Sequence, residues 1–460
     1  MILRRIKPLY RIVCSLLFLL PMVAQGQTAP SSAPVRRTPS HVRQKEGVSW
    51  GKMLWKGGMT RWDDGHWYLQ MPGGYGDLIV MNFVDGYSYG PHATIGYIND
   101  NRNRWELEET LRYASGREAW LAKGALRWYA PIERGTMIEV HGGRHTEDFD
   151  RDPVMDMSHS LMATGIFGWS HYKLLERTDV GIRTSFALCN DVTMTAAMSL
   201  EKRRKMHNHK SANFLGIHAQ DNAPRVADQE GRLLSYLGSA PDGSNMPGRI
   251  NDKVALLSLE LDYRPQTLRM LYDDMTCRLG SLSPQFVLKM DMGAGSPIGE
   301  GGSDFSYLSV DLRVKQYFSP SRRQDRLGYM VSAGQTFKHG EIGLADWHHF
   351  DASRFWWQGS DVITHLALLD NYELSTDQWW TEGHAEWESD RMLLTQWTRN
   401  PDLLKEYLQV HAVKVPDRRM HTELQYGVNL VNKLRLGMVI GWDDNHYRGM
   451  AFTMVLNLQQ

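Results

Sequence analysis

Glu382, His384, Glu386 and Glu388 occupy alternate positions, and a strand places all four side chains on one face. Three carboxylates around an imidazole suit either ligation of a divalent cation or a histidine tuned as a general acid. The plainer reading is a polar wall balanced by Arg and Lys from neighbouring strands. That reading is preferred, so no metal and no cofactor is expected. A second histidine group reads Asp346-Trp347-His348-His349-Phe350-Asp351. On a strand its adjacent imidazoles point to opposite faces and make poor joint ligands, so chance exposure is expected. Gly86-Tyr87-Ser88-Tyr89-Gly90 spells the Gly-x-Ser-x-Gly of a hydrolase elbow. The elbow needs strand, sharp turn and helix, whereas Pro91 and strand-like residues follow. A turn between two strands is expected, and no residue is assigned as catalytic.

The elements that position these side chains follow from period-2 alternation. In Met420–Asn432, Thr422, Leu424, Tyr426, Val428 and Leu430 share one face; His421, Glu423, Gln425, Gly427 and Asn429 share the other. Lys433–Asp443 and Tyr447–Leu458 repeat the pattern after tight turns. Val254–Tyr263 sets Ala255, Leu257, Leu259, Leu261 and Tyr263 against Ser258, Glu260 and Asp262. Asp304–Phe318 sets Leu308, Val310, Leu312 and Val314 against Ser309, Asp311, Arg313 and Lys315. In Arg104–Ala114, Glu109 interrupts an otherwise apolar face. Further strands are expected at, among others, Leu78–Gly86, Tyr87–Ile98 and Val362–Leu374.

Alternation over ~10-residue segments is the pattern of a transmembrane antiparallel β-barrel, one face to lipid and one to a wet lumen. The fold class is therefore all-β, a barrel of about 16 strands. The lumen-facing candidates are Glu260, Asp311, Arg313, Lys315, Glu382, His384 and Glu386. The chain has 16 Trp and 19 Tyr in 460 residues, a load that suits aromatic belts at two membrane interfaces. Mean hydropathy is −0.44, which is uninformative here because half of every such strand is polar.

Residues 1–26 read as a signal peptide: Arg4, Arg5 and Lys7, an apolar Ile12–Leu20, then Ala24-Gln25-Gly26. Residues 27–48 read as a disordered leader, 49–76 as a periplasmic segment or first hairpin, and 77–460 as the barrel. A long polar loop is expected near 206–251 and a small helical lid in Asp152–Trp169. The address is the outer membrane of a Gram-negative bacterium. The expected partners are outer-membrane lipids and lipopolysaccharide, with other envelope proteins. Lys202-Arg203-Arg204-Lys205, with His207 and His209, has the charge to meet lipopolysaccharide phosphates, although a solvated loop is the preferred reading. The 52 basic and 52 acidic residues leave no net charge, which argues against nucleic acid. Beyond the signal, Cys189 and Cys277 are compatible with one disulfide or two thiols.

Asn82-Phe83-Val84-Asp85-Gly86-Tyr87, Tyr263-Arg264-Pro265, Asp370–Gln378 and the Gly427–Leu458 hairpins together resemble the C-terminal barrel of a family of uncharacterised Gram-negative outer-membrane proteins. Members usually join a carboxypeptidase-regulatory-like domain to that barrel; here the resemblance covers the barrel part only. The barrel in turn resembles those of outer-membrane insertases, and His384-Ala385-Glu386-Trp387 is similar to a strand in which they place a Glu. The Val-Arg-Gly-Phe/Tyr loop motif of the insertases is missing. The resemblance implies a non-enzymatic integral outer-membrane protein related to transport or membrane assembly. Two alternatives stand beside it: an outer-membrane barrel enzyme, a lipase or protease with a rim site, and a soluble secreted β-rich binding protein.

Overall fold

The computed structural model describes residues 57–71, 79–131, 135–151, 163–165, 167–170, 172–213, 215–228, 231–235, 253–272, 275–281, 283–295, 305–319, 325–358, 363–395, 404–430 and 434–456. The signal and leader segments lie outside them, as do residues 431–433, where one of the expected tight turns falls.

A hairpin of β1 (Gly58–Trp62) and β2 (Trp67–Met71) leads to β3 (Ile79–Asn82), β4 (Gly86–Tyr89), β5 (His92–Ile98) and β6 (Arg104–Ala114). Next come β7 (Ala119–Tyr129), β8 (Met137–Asp148), β9 (Leu174–Ala187) and β10 (Val192–Lys205). The small β11 (Arg225–Ala227) and β12 (Leu233–Ser235) pair with each other. So do β14 (Thr267–Tyr272) and β15 (Met275–Ser281), which lie between β13 (Lys253–Tyr263) and β16 (Gln285–Gly295). The chain continues through β17 (Ser306–Phe318), β18 (Arg326–His339), β19 (Trp357–Gln358) and β20 (Trp379–Ser389). It ends with β21 (Leu404–Lys414), β22 (His421–Leu430), β23 (Leu434–Asp443) and β24 (His446–Leu456).

Among the described residues the main sheet has 20 strands. Its spine is an antiparallel meander: β1, β2, β5, β6, β7, β8, β9, β10, β13, β16, β17, β18, β20, β21, β22, β23, β24. The β3–β4 hairpin attaches to β6, and β19 runs parallel to β24.

This arrangement corrects the expected fold class. The sheet is not closed into a barrel. Among the described residues no ladder joins β1 to β24: β1 pairs with β2, and β24 pairs with β23 and the short β19. Alternation fixes which face a side chain takes, but it carries no information on whether the first and last strands meet.

Alternation itself is strong. β20 alternates strictly, with Trp380, Glu382, His384, Glu386 and Glu388 buried and the residues between them more open. β22 buries His421, Glu423, Gln425, Gly427 and Asn429. The covering material comes from connections at one end of the sheet, those between β8 and β9, β10 and β13, and β18 and β20. They pack on one another and on the strand ends through Phe149, Leu175, Val226, Leu344, Ala345 and Tyr372.

Three expected elements differ. The strand expected at Val362–Leu374 is not formed over 363–374, where Ile363 and the consecutive Leu366, Ala367, Leu368 and Leu369 are all buried, which alternation forbids. Tyr87–Ile98 is split into β4 and β5 at Gly90, whose added Cβ would meet the Leu111 carbonyl oxygen at 1.9 Å. Gly86–Tyr89, expected as part of a turn between two strands, is strand β4, and Ser88 inside it is buried, so it occupies no exposed elbow. Cys189 is an exposed free thiol.

Candidate functional site

The polar face of β20–β23 holds the densest group of buried polar side chains. Antiparallel register lays them out in rows: His384 faces His411, which faces Glu423; Glu386 faces Gln409, which faces Gln425. Within the first row His384 Nδ1 lies 2.8 Å from His411 Nδ1, so one ring must donate and the other accept. His384 Nε2 lies 3.3 Å from Glu382 Oε2. Glu386 accepts hydrogen bonds from Gln409 at 2.7 Å and Arg435 at 2.8 Å. Both ring nitrogens of His421 face carboxylates, Asp443 at 2.8 Å and Glu423 at 2.9 Å.

The connection between β18 and β20 lies on this face. Its apolar residues Phe350, Ala352, Leu366, Leu369 and Leu374 pack with Trp380, Val413 and Val415. Its backbone is held by polar groups of the sheet. The Glu423 carboxylate accepts the amides of Ala367 and Leu368, each at 2.8 Å. Arg448 donates to the Leu368 carbonyl at 3.0 Å and to Asp443 at 2.9 Å, and it also pairs with Glu373. The His348 ring stacks flat on Trp380, with centroids 4.0 Å apart and planes 8° apart. The expectation that His348 and His349 are exposed by chance therefore fails. Both rings lie within the connection and are half-buried, and burial lowers the proton affinity of each, His349 to about 3.

His365 behaves oppositely. Burial disfavours its charged form, but Nδ1 lies 2.9 Å from Asp351 Oδ1 and Nε2 lies 3.3 Å from the Ser353 carbonyl oxygen. Acceptors at both nitrogens suit an imidazolium, and the Asp351 charge raises its pKa above the ordinary histidine value.

A second anchor lies at the turn Leu344–Asp346. Arg203, fully buried at the end of β10, donates to Asp346 at 2.7 and 3.0 Å. Arg151 and the Tyr307 hydroxyl donate to the same carboxylate at 3.0 and 2.9 Å. Burial alone would raise the Asp346 pKa, but the two guanidinium groups hold it below the usual carboxylate value. Arg203 is thus a structural ion-pair partner. Lys202, Arg204 and Lys205 remain exposed.

Glu382, His384 and Glu386 all lie buried on the loop-covered face of β20. Glu260 lies opposite Lys289, which lies opposite Asp311. Asp311 accepts from Ser332 at 2.7 Å and from Arg313 at 3.3 Å. Arg313 faces Ser332, which faces Glu382, so one register row joins the two groups. Lys315 is exposed at the far end of β17. Among the described residues no group of His, Cys, Asp and Glu is arranged to hold a metal ion. Sequence reasoning named several residues of the β18–β20 connection but missed that it covers this face and is received by Glu423, Asp443 and Arg448. The alternating Glu423 was visible, but nothing local showed what it accepts.

The opposite face is open and apolar. Along β6 it presents Trp105, Leu107, Glu109, Leu111 and Tyr113. Aromatic rings gather at its two ends. Toward the short turns Trp62 stacks with Trp67 at 6.4 Å, Trp67 meets Tyr97 at 4.8 Å and Trp105 meets Trp128 at 6.3 Å. At the end carrying the long connections Tyr113 lies 5.7 Å from Tyr89 and 5.2 Å from Trp120. Between the two groups the exposed residues include Leu107, Leu111, Leu126 and Val140.

Comparison with known proteins yields one family. Residues 51–428 match the model described as the C-terminal domain of a family of unknown function, DUF5686. No curated protein matches the sequence significantly. Among solved structures, BamA from Haemophilus ducreyi lacking POTRA domains 1-3 is similar at 10% identity, covering 82% of this chain and 68% of that one, with a TM-score of 0.43. CdiB from Acinetobacter baumannii is similar at 11% identity, covering 80% and 56%, with a TM-score of 0.36. CdiB from Escherichia coli is similar at 10% identity, covering 82% and 60%, with a TM-score of 0.37. The chain thus spans little more than half the length of the Acinetobacter protein.

Proposed function

The chain belongs to the DUF5686 family through its C-terminal domain, and on that premise we propose that it is an integral β-sheet protein of the Gram-negative outer membrane, serving transport or membrane assembly rather than catalysis. The observation that carries this reading is the open face. An apolar band between two groups of Trp and Tyr suits a lipid layer with an interface at each edge. From Trp105 to Tyr113 the strand rises about 27 Å at ~3.4 Å per residue. At the ~35–45° tilt of membrane strands that length projects to roughly 19–22 Å, close to the ~25 Å apolar band of outer-membrane β-proteins. A large exposed apolar face would be a liability in water. The basic, apolar and small-residue succession at the N-terminus supports export.

The non-enzymatic part of the reading rests on the polar face. Its carboxylates and imidazoles are engaged with one another and with the β18–β20 connection, and its apolar neighbours fill the space beside them. In this reading the long connections face outward and stopper that end of the sheet.

The test is fluorescence quenching. The full chain would be reconstituted in vesicles of ordinary or bromine-labelled phosphatidylcholine. Strong tryptophan quenching by brominated lipid is expected, with a smaller quenched fraction in a Trp105→Phe, Trp120→Phe double variant. A protein that stays in the aqueous fraction, or whose fluorescence ignores bromine, would refute the membrane reading.

A further inference from the structure

The end bearing the long connections contains a pocket that none of the roles above uses. It is a half-open recess rather than an enclosed cavity, and its walls include Trp169, Lys173, Gln220, Arg225, Arg354 and Asp370. Three cations and one carboxylate line it. Asp370 is shared between Arg225 at 3.2 Å and Arg354 at 3.5 Å. Arg354 also reaches Glu373 at 3.3 Å, but that carboxylate is claimed by Arg448 as well. The Lys173 ammonium donates to the backbone carbonyl of Asp221 at 2.6 Å. Burial, with Arg225 close by, pushes Lys173 down to about 8, as crowding of cations in a poorly hydrated site should.

The residues on the wall itself are three cations to one carboxylate, with Asp221 and Asp148 acting on Lys173 from behind it. Two guanidinium groups flank the space, and each can present a planar fork to an oxyanion. A phosphate would relieve the repulsion between Lys173 and Arg225. Beside the cations stands Trp169, whose ring is backed by Phe355 with centroids 6.0 Å apart and planes 30° apart. A braced indole offers a flat apolar wall, and the neighbouring Gln220 amide can both donate to and accept from hydroxyl groups. We propose that this pocket binds a phosphomonoester carried on a sugar: Arg225, Arg354 and Lys173 take the phosphate, Trp169 takes the face of the ring, and Gln220 takes a hydroxyl. The same chemistry comes as a soluble sugar phosphate or as the headgroup of a phosphorylated glycolipid.

Calorimetric titration of the full chain in detergent tests the assignment with four probes: glucose 1-phosphate, inorganic phosphate, glucose, and a phosphorylated glucosamine glycolipid in the same micelles. Saturable binding of glucose 1-phosphate or of the glycolipid is expected, weakened by added salt. Whichever of the two binds more tightly identifies the source. Arg225→Gln removes one guanidinium at a half-exposed position and should weaken binding about tenfold, the order of one charge-assisted hydrogen bond. Trp169→Ala should weaken the sugar phosphate but not inorganic phosphate. A thermal melt of each variant confirms that it is folded, and Gln220→Ala supplies a milder change should the others melt early. The proposal is overturned if neither phosphorylated probe binds, if inorganic phosphate binds as tightly as both, or if folded Arg225→Gln binds like the parent.

Discussion

Asp346 is the most consequential single residue of the covering connection. Its buried carboxylate accepts two hydrogen bonds from Arg203, one from Arg151 and one from Tyr307, tying the turn to β10 and β17. Asp346→Asn preserves the shape and removes the charge, leaving two guanidinium groups facing a neutral amide. Breaking a buried pair from one side costs about 3–5 kcal/mol. At 1.4 kcal/mol per factor of ten, opening of the connection should become roughly a hundred- to a few-thousand-fold more frequent. Amide exchange reads this directly, using Ala367 and Leu368, whose N–H groups bind Glu423, as reporters. The pH dependence gives an independent sign. The folded pKa of Asp346 lies below its ordinary value, so its stabilisation is complete above about 4, the unfolded value. It is lost as pH falls through the lower folded value. The parent should loosen along that acid limb, and the Asn variant should lack Asp346's share of it. Parent-like exchange in Asp346→Asn at neutral pH would refute the reasoning.

Other perturbations separate the two faces. Leu312→Arg, on the open face of β17, should lower recovery from membranes and cost about 2–4 kcal/mol if placed near the bilayer centre. Asp311→Asn, on the polar face beside it, should leave recovery unchanged, as membrane fractionation would show. Glu109→Leu completes the apolar band of β6 and should raise recovery in the same assay. At Gly334 an added Cβ would stand 2.1 Å from the Trp380 ring, so Gly334→Ala should destabilise by about 1–3 kcal/mol in a thermal melt. The raised pKa of His365 means its contribution is full below about 6.5 and is lost as pH rises through the folded value. Amide exchange near Leu366 should therefore quicken at alkaline pH in the parent, and the step should vanish in His365→Asn.

Strand identity and facing were readable because both are local. Glu382, His384 and Glu386 had to share a side, and Glu260, Asp311 and Arg313 had to alternate with apolar neighbours, whatever the sheet's larger shape. Closure was not local, and the expected barrel is absent because β1 and β24 do not pair among the described residues. The connection between β18 and β20 was misread for a related reason. Ile363 to Leu374 is rich in aliphatic residues, as a buried strand is, and composition cannot separate that from a covering segment. Only the run Leu366-Ala367-Leu368-Leu369, apolar without alternation, hinted at burial on all sides. The His348–His349 pair failed because solvent exposure was inferred from polarity, whereas Trp380 supplies a stacking partner thirty-odd residues away.

The polar face and its cover explain each other. A row such as His384, His411 and Glu423 stays buried at least cost when its donors and acceptors are met, since each unmet buried group costs about 1–3 kcal/mol; among the described residues the His411 Nε2 of this row has no hydrogen-bond partner. Register alone supplies part of the partnering, as between the two imidazoles. Glu423 has no lateral carboxylate partner to share a proton with; it takes two backbone amides and one ring of His421 instead. Those amides in turn would be orphaned if the connection lay elsewhere. The same segment reaches the sheet edge, where Met454 donates its amide to the Trp356 carbonyl at 2.6 Å and β19 lies along β24. An unpaired strand edge invites pairing with any passing chain, so covering it has value beyond the bonds made. One connection thus neutralises a buried acidic surface and masks part of an edge, which makes its anchoring at Asp346 a property of the whole sheet rather than of one loop.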